Sequence, residues 1–340
     1  MFMDCPCCGK KIKPAEEVLS LAGSLYMACR DCPLEPNLDK NVPYSGLKPR
    51  VQRCSSCKKA PLDLVMFEAL GILIEEGLRD ESANLRSVGW PMVEIGYPLA
   101  YPPRLGENEL IIVGEGLDRT AAKRLVKIPE IKGVILGGGV PGVSDLNKKA
   151  HRWELLRGCD LRCDVVQSLL GELVIYKNQS QIHVEFSKEN APKMKILENL
   201  YFQGRLEDVA DCMCGPGTLG LMAALEGAKR VVLNDVWLPA IKNVMINLEA
   251  NRTLLGIEEI EHFGFSDEGK DVGEDVDVGT EPKLVGLASG VCEFEVYHGD
   301  AKRLFEKARP SGLCLIDPFP GMETNDLIEA CGVCNKVVII

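Results

Sequence analysis

Apolar residues recur in two rhythms along this chain, and the change of rhythm divides it. From Leu62 to Arg79, residues Leu64, Phe67, Leu70 and Ile74 return at three- and four-residue steps, one face of an amphipathic helix. Pro61 stands just ahead of it, where a helix start tolerates proline. Leu110–Val113 and Val134–Leu136 are short apolar runs flanking the helical Arg119–Val126. They predict a strand–helix–strand unit. Gly114-Glu115-Gly116 and Gly137-Gly138-Gly139 follow the two strands and read as simple turns of a small α/β domain. Leu173–Tyr176 and Gln181–Phe186, separated by Lys177-Asn178-Gln179-Ser180, read as a hairpin. A short helix starts near Ala191.

Beyond Arg205 strands and helices alternate. Val209–Met213, Arg230–Asn234, Cys292–His298, Leu313–Asp317 and Lys336–Ile340 read as strands. Leu219–Glu226, Pro239–Ala250 and Thr324–Cys331 read as helices. The pattern predicts an α/β fold with a Rossmann-like, doubly wound, mostly parallel sheet. Five strands are few for such a sheet, so the 173–186 hairpin is expected at its edge. Three regions follow: a cysteine-rich module over 1–60, a central α/β domain over 61–170, and the hairpin plus Rossmann-like domain over 171–340. Within the last, Glu198-Asn199-Leu200-Tyr201-Phe202-Gln203-Gly204 spells the recognition heptapeptide of a potyviral protease used to cleave tags. It reads as an engineered site in a domain joint or a tolerant surface turn and is excluded from functional inference.

Charge changes the picture at both ends. The net charge is −11. Residues 1–60 hold 10 Lys+Arg against 6 Asp+Glu, and residues 205–340 hold 12 against 24. Ten of those acids fall in Ile257–Glu281. Such a stretch repels phosphates and would suit a basic protein partner, whereas the N-terminal module is mildly basic. There is no apolar run of about 18 residues and no secretory pattern at the N-terminus, so a cytoplasmic protein without a membrane segment is expected.

The chemistry concentrates where the parallel strands end. Asp211-Cys212-Met213-Cys214-Gly215-Pro216-Gly217-Thr218 closes the first of them. Glycines there let backbone approach a ligand, and the following helix points free N–H groups at the same place. Gly215-x-Gly217-x-x-Gly220 also satisfies the dinucleotide pattern, with Asp235 about 20 residues on, so an NAD-type reading stands as an alternative. Asp235, Asp300 and Asp317-Pro318-Phe319-Pro320 end the next three strands.

With these acids in place the sequence resembles the class I S-adenosylmethionine-dependent methyltransferases from about Asp208 to Ile340. The resemblance implies that Asp211, Cys214, Gly215, Pro216, Gly217 and Thr218 hold the methionine part of S-adenosylmethionine (SAM). It gives Asp235 to the ribose and Asp300 to the adenine amino group, and it sets Asp317 at the border of cofactor and acceptor. The segment Asn234-Asp235 through Ile246-Asn247, with the hairpin and helix before Arg205, is similar to the tRNA guanine methyltransferases. The resemblance therefore implies RNA as partner, with a tRNA or rRNA base amine as acceptor. Asp317, Pro318 and Phe319 would be catalytic: Asp317 and the Pro318 carbonyl accept from the amine, and Phe319 stacks on the base. Phe319 in third place and Pro320 in fourth depart from the usual motif, and a core aromatic is the other reading of Phe319. Methylation of a protein or small molecule, with the N-terminal module docking a partner, is the second functional reading.

Cys5-x-x-Cys8 and Cys29-x-x-Cys32 have the spacing of a structural zinc site, with iron–sulfur ligation as the alternative. Cys54-x-x-Cys57 is a third pair, expected to join Cys159 and Cys163 in a second site. Cys212, Cys214, Cys292 and Cys314 read as core residues, and Cys331-x-x-Cys334 as a plain helix end. His151, His183, His262 and His298 show no partner by spacing.

Overall fold

The computed structural model describes residues 4–34, 36, 38–137, 153–183, 191–264, 281–319 and 321–340. Gly138, Gly139, His151, Pro320 and much of the acidic stretch lie outside the described residues.

The N-terminal segment carries a short helix α1 (Ala15–Leu21). Leu25–Met27 is a turn leading into irregular chain, with Tyr26 fully buried in the next region's core. Strand β1 (Ala60–Pro61) leads into α2 (Leu62–Glu75), which buries Leu64, Val65, Ala69, Leu70 and Leu73. Then come β2 (Trp90–Val93), β3 (Ile95–Gly96), β4 (Arg104–Leu105) and β5 (Leu110–Gly114). Helix α3 (Arg119–Leu125) starts on Asp118, whose carboxylate accepts from Ala121 N at 2.8 Å. It connects β5 in parallel to β6 (Ile131–Leu136), the predicted strand–helix–strand unit, within the sheet β2-β5-β6-β7, where β7 is Glu154–Gly158.

The hairpin differs from expectation. It joins β8 (Leu161–Ser168) to β9 (Gly171–Asn178), so Leu173–Tyr176 pairs with the chain before it. Gln181–His183 is turn and bend, and the rest of Gln181–Phe186 lies outside the described residues. Nor does the hairpin extend the Rossmann-like sheet: with β3 it forms a separate three-stranded sheet.

Helix α4 (Pro192–Phe202) follows. Here too the structure corrects the sequence reading. The heptapeptide 198–204 is the last half of this helix and its cap, not a joint; of the two readings, the surface turn is met by the exposed Gln203-Gly204. Met194, Leu197 and Leu200 fall on one helical face and are buried in the core shared with the strands and helices that follow. Gly204, at φ +65°, ends the helix in the left-handed region that glycine adopts freely.

The seven-stranded sheet is built from β10 (Asp208–Asp211), β11 (Arg230–Asp235), β12 (Ile257–His262), β13 (Lys283–Gly290), β14 (Glu293–His298), β15 (Leu313–Ile316) and β16 (Lys336–Ile339). Its order is β12-β13-β14-β11-β10-β15-β16. The five strands predicted from sequence form its parallel part, and β12–β13 add an antiparallel edge beside β14. Helices α5 (Thr218–Leu225) and α6 (Leu238–Ala250) pack on one face with α4; α7 (Asn325–Cys331) and the turn Ala301–Glu306 cover the other. The α/β, mostly parallel, doubly wound fold is as expected.

What replaces edge pairing is a ladder of side chains. Asn243 and Asn247 on α6 and Asn251 at its C-cap lie four residues apart, one above another. Their Oδ1 atoms accept from Asn178 N, Tyr176 N and Val174 N at 2.8, 2.6 and 3.0 Å. Asn247 Nδ2 and Asn251 Nδ2 donate to Tyr176 O and Val174 O at 3.0 and 2.7 Å. Each four-residue step along the helix rises about 6 Å, which nearly matches the two-residue repeat of a strand. The three amides therefore pair with the free edge of β9 as a neighbouring strand would. All three are fully buried, where an unpaired backbone group would be costly.

Candidate active site

The loop after β10 is shaped by its glycines. Gly215 (φ +52°) and Gly217 (φ +90°) turn the chain into α5, and nothing stands within 4 Å of the position a Cβ on Gly215 would take. Gly220 serves packing instead: a Cβ there would meet Leu233 at 2.3 Å. The loop is tied down from two sides. Asp235 Oδ2 accepts from Gly215 N at 2.8 Å, and Asn247 Nδ2 donates to Pro216 O at 2.9 Å. Asn247 thus holds the hairpin and the glycine loop at once. Cys214 N donates to Asn234 O at 2.9 Å, while the Cys214 thiol lies in the core. Cys214 therefore shapes the turn through its backbone.

Asp211, Asp235, Asp300 and Asp317 all sit at carboxyl ends of parallel strands, as the sequence predicted. Asp211 is fully buried; its Oδ2 accepts from Gly220 N at 3.1 Å, and its Oδ1 has no hydrogen-bond partner. Burial first, then the negative charge of Asp317, push its carboxyl up to about 8. Burial likewise raises Asp235, although Trp237 N and Gly215 N donate to its carboxylate. Asn234 Oδ1 and Thr218 Oγ1 are also buried without partners. Three orphaned polar atoms thus cluster around one open glycine turn. Orphans of this kind are uncommon, and these three atoms are open to a ligand or to water. Asp300 has a local role: its Oδ1 accepts from Lys302 N at 2.9 Å and caps the turn Ala301–Glu306.

Two groups at the site escaped sequence reading. Lys193, in the first turn of α4, forms an ion pair with Asp317. His183, set aside for want of a partner, meets Phe319 edge-on with ring centroids 5.8 Å apart and planes at 80°. Phe319 is half-buried. Nearby, Trp237 Nε1 donates to Gln181 O at 3.0 Å. Long-range contacts of this kind leave no spacing signal. A cavity of about 900 Å³ opens at the opposite, amino ends of the strands. Its central cation, Arg230, is already held by Asp208, Glu295 and the Arg309 carbonyl.

The cysteines group differently from their order in sequence. Cys29, Cys32, Cys54 and Cys57 converge, with Sγ···Sγ distances of 3.6 Å (Cys29–Cys54), 3.7 Å (Cys29–Cys32) and 3.6 Å (Cys32–Cys57). Tetrahedral zinc with Zn–S near 2.3 Å sets its sulfurs about 3.8 Å apart, so the quartet fits that ion. Cys5 is not the partner of this pair, and Cys8 is exposed. Cys159 lies with Cys5, while Cys163 is buried in the hairpin. Cys212, Cys314 and Cys331 are core residues, as expected of the first two, but they also touch, with Cys212 3.1 Å from Cys314 and 3.7 Å from Cys331.

No protein-family model and no curated protein matches the chain. Solved structures do. Trm5b from Pyrococcus abyssi is 11% identical over 68% of this chain and 56% of its own, with a TM-score of 0.37. Trm1 from Pyrococcus horikoshii, solved with S-adenosyl-L-methionine, is 22% identical over 46% of this chain and 36% of its own, with a TM-score of 0.29. The tRNA (uracil-54, C5)-methyltransferase of Pyrococcus abyssi, solved with S-adenosyl-L-homocysteine, is 15% identical over 81% and 56%, with a TM-score of 0.39. The chain thus spans little more than half the length of two of these proteins and about a third of the other. Each is a remote likeness.

Proposed function

We propose that this protein binds SAM at the carboxyl ends of β10, β11, β14 and β15 and transfers its methyl group to an amino nitrogen, that of an RNA base. The observation that carries the cofactor is the buried, unpartnered Oδ1 of Asp211, with the charges of Asp235 and Asp317 acting on the same carboxyl. Such a site favours a cation. SAM brings an ammonium and a sulfonium, whereas the pyrophosphate of NAD would meet three carboxylates. Asp211 and the loop Gly215–Thr218 would take the methionine part. Asp235 would take the ribose, with its Gly215 and Trp237 bonds holding it in place.

When bound, SAM supplies an already activated methyl group, so the chain's task is positioning. Asp317, paired with Lys193, and the Pro318 carbonyl would accept hydrogen bonds from the acceptor amine and aim its lone pair at the methyl carbon. Asp317, or water beside it, would take the surplus proton of the methylated amine. Phe319, braced by His183, would lie against the base. Cys29, Cys32, Cys54 and Cys57 would hold a structural zinc in a mildly basic module suited to RNA. Label transferred from SAM into an RNA pool, and lost on nuclease treatment, is the expected result; label that resists nuclease would sink the RNA acceptor.

One feature favours the second reading, a basic protein as acceptor. Glu258, Glu259 and Glu261 are exposed on the edge strand β12. Label from SAM in a protease-sensitive band of a protein extract would support it.

A further inference from the structure

The N-terminal segment contains two turns of one design. In Cys5–Lys10, Cys5 N donates to Lys10 O at 2.7 Å, Gly9 N donates to Cys5 O at 2.9 Å, and Gly9 has φ +69°. In Cys54–Lys59, Cys54 N donates to Lys59 O at 2.9 Å, Lys58 N donates to Cys54 O at 3.0 Å, and Lys58 has φ +63°. Lysine seldom adopts that conformation, so the second turn is imposed by its task. That task is the Cys29 quartet. The first turn has no cysteine pair left to join.

It meets the hairpin instead. Cys5 Sγ lies 3.6 Å from Cys159 Sγ, though the two are 154 residues apart, and the sulfurs of Cys5, Cys7 and Cys159 are all within 4.8 Å of one another. Asp160 Oδ1 is 2.9 Å from Cys7 Sγ. The carboxylate is 2% exposed and aimed: Ser180 N donates to its Oδ2 at 3.0 Å, and Asn178 Nδ2 donates to its Oδ1 at 3.1 Å and to Cys7 Sγ at 3.3 Å. A half-buried set of three thiols and one oriented carboxylate, with the Asn178 amide donating to two of them, has the ligand count of a tetrahedral zinc site and the hydrogen bonds that orient such ligands.

We propose that Cys5, Cys7, Cys159 and Asp160 bind a second zinc ion, separate from the one held by the Cys29 quartet. Binding would displace the three thiol protons to solvent. The ion would pin the N-terminal turn to the hairpin. The hairpin is held by the asparagine ladder of α6, and Asn247 of that ladder also holds the cofactor loop. The second zinc would therefore fix where the basic module stands relative to the active site.

Elemental analysis of the full-length protein purified under reducing conditions tests this. Wild type should carry two zinc ions per chain. C7S and C159S should each carry one, C8S should keep two, and C54S should lose only the quartet's ion. Should a cysteine variant fail to fold, D160N, which preserves shape, should fold and release one ion to a chelator at least tenfold faster than wild type. A single zinc per wild-type chain would overturn the proposal. So would loss of an ion from C8S but not from C7S, or unchanged release from D160N.

Discussion

Replacing Asp211 by asparagine separates what this residue does for the cofactor from what it costs the fold. The substitution keeps the shape and an acceptor for Gly220 N but removes the charge. In the folded protein the carboxyl is pushed from 3.8 up to about 8 by burial and by Asp317. A raised carboxyl means that the folded state binds more protons than the unfolded chain between about pH 4 and pH 8, so this residue lowers stability as pH rises through that window. At about 1.4 kcal/mol per pH unit, the penalty at pH 7 is on the order of 4 kcal/mol. D211N should therefore melt higher than wild type at pH 7.5 without ligand, and the gap should close toward pH 4. Cofactor binding should show the opposite sign. A charged hydrogen bond of about 1.5–3 kcal/mol is lost, which weakens S-adenosylhomocysteine binding roughly 10- to 100-fold. In wild type, ligand should bind with release of about one proton at pH 7, and affinity should rise up to about tenfold per unit from pH 6 to 8. Titration in buffers of differing ionisation enthalpy reads that proton. A D211N protein that melts lower than wild type at pH 7.5, or binds the ligand equally well, would refute the reasoning.

Three other changes probe the remaining parts. D317A should abolish methyl transfer while S-adenosylhomocysteine binding stays within a few-fold; loss of binding in calorimetry would move Asp317 into the cofactor site proper. K193M should lower transfer more than S-adenosylhomocysteine binding, because Asp317 loses the cation that holds it in place; equal losses in both would count against a positioning role for Lys193. N247A leaves Tyr176 N, Tyr176 O and Pro216 O short of partners, so it should cost about 2–4 kcal/mol in urea unfolding and weaken cofactor binding as well, whereas N251A, which does not touch the loop, should cost stability alone.

Much of the half after Arg205 is legible in the sequence because its parallel strands read as apolar runs, and four of the five, β16 excepted, run into an acid within two residues. Asp211, Asp235, Asp300 and Asp317 stand at strand ends for that reason. The edge strand β12 hides because Ile257-Glu-Glu-Ile-Glu-His buries one residue and exposes four. The hairpin was misplaced because β8 carries Arg162 and Asp164, which look like surface. They are buried as an ion cluster with Lys177 of β9. Cysteine spacing picked out Cys29, Cys32, Cys54 and Cys57 but not how they group, and it passed over Cys7 for Cys8: any two pairs fit one template, and only the fold brings Cys54 to Cys29 and Cys5 to Cys159. Lys193 and His183 reach the site across the fold, 124 and 136 positions from Asp317 and Phe319, where no local pattern reports them.

Calorimetric titration of the full-length protein with S-adenosylhomocysteine and, separately, with NAD tests the central claim most directly. Saturable one-to-one binding of S-adenosylhomocysteine, abolished or strongly weakened in D211N, with no heat from NAD, is the result expected. Binding of NAD in place of S-adenosylhomocysteine, or of neither, would contradict it.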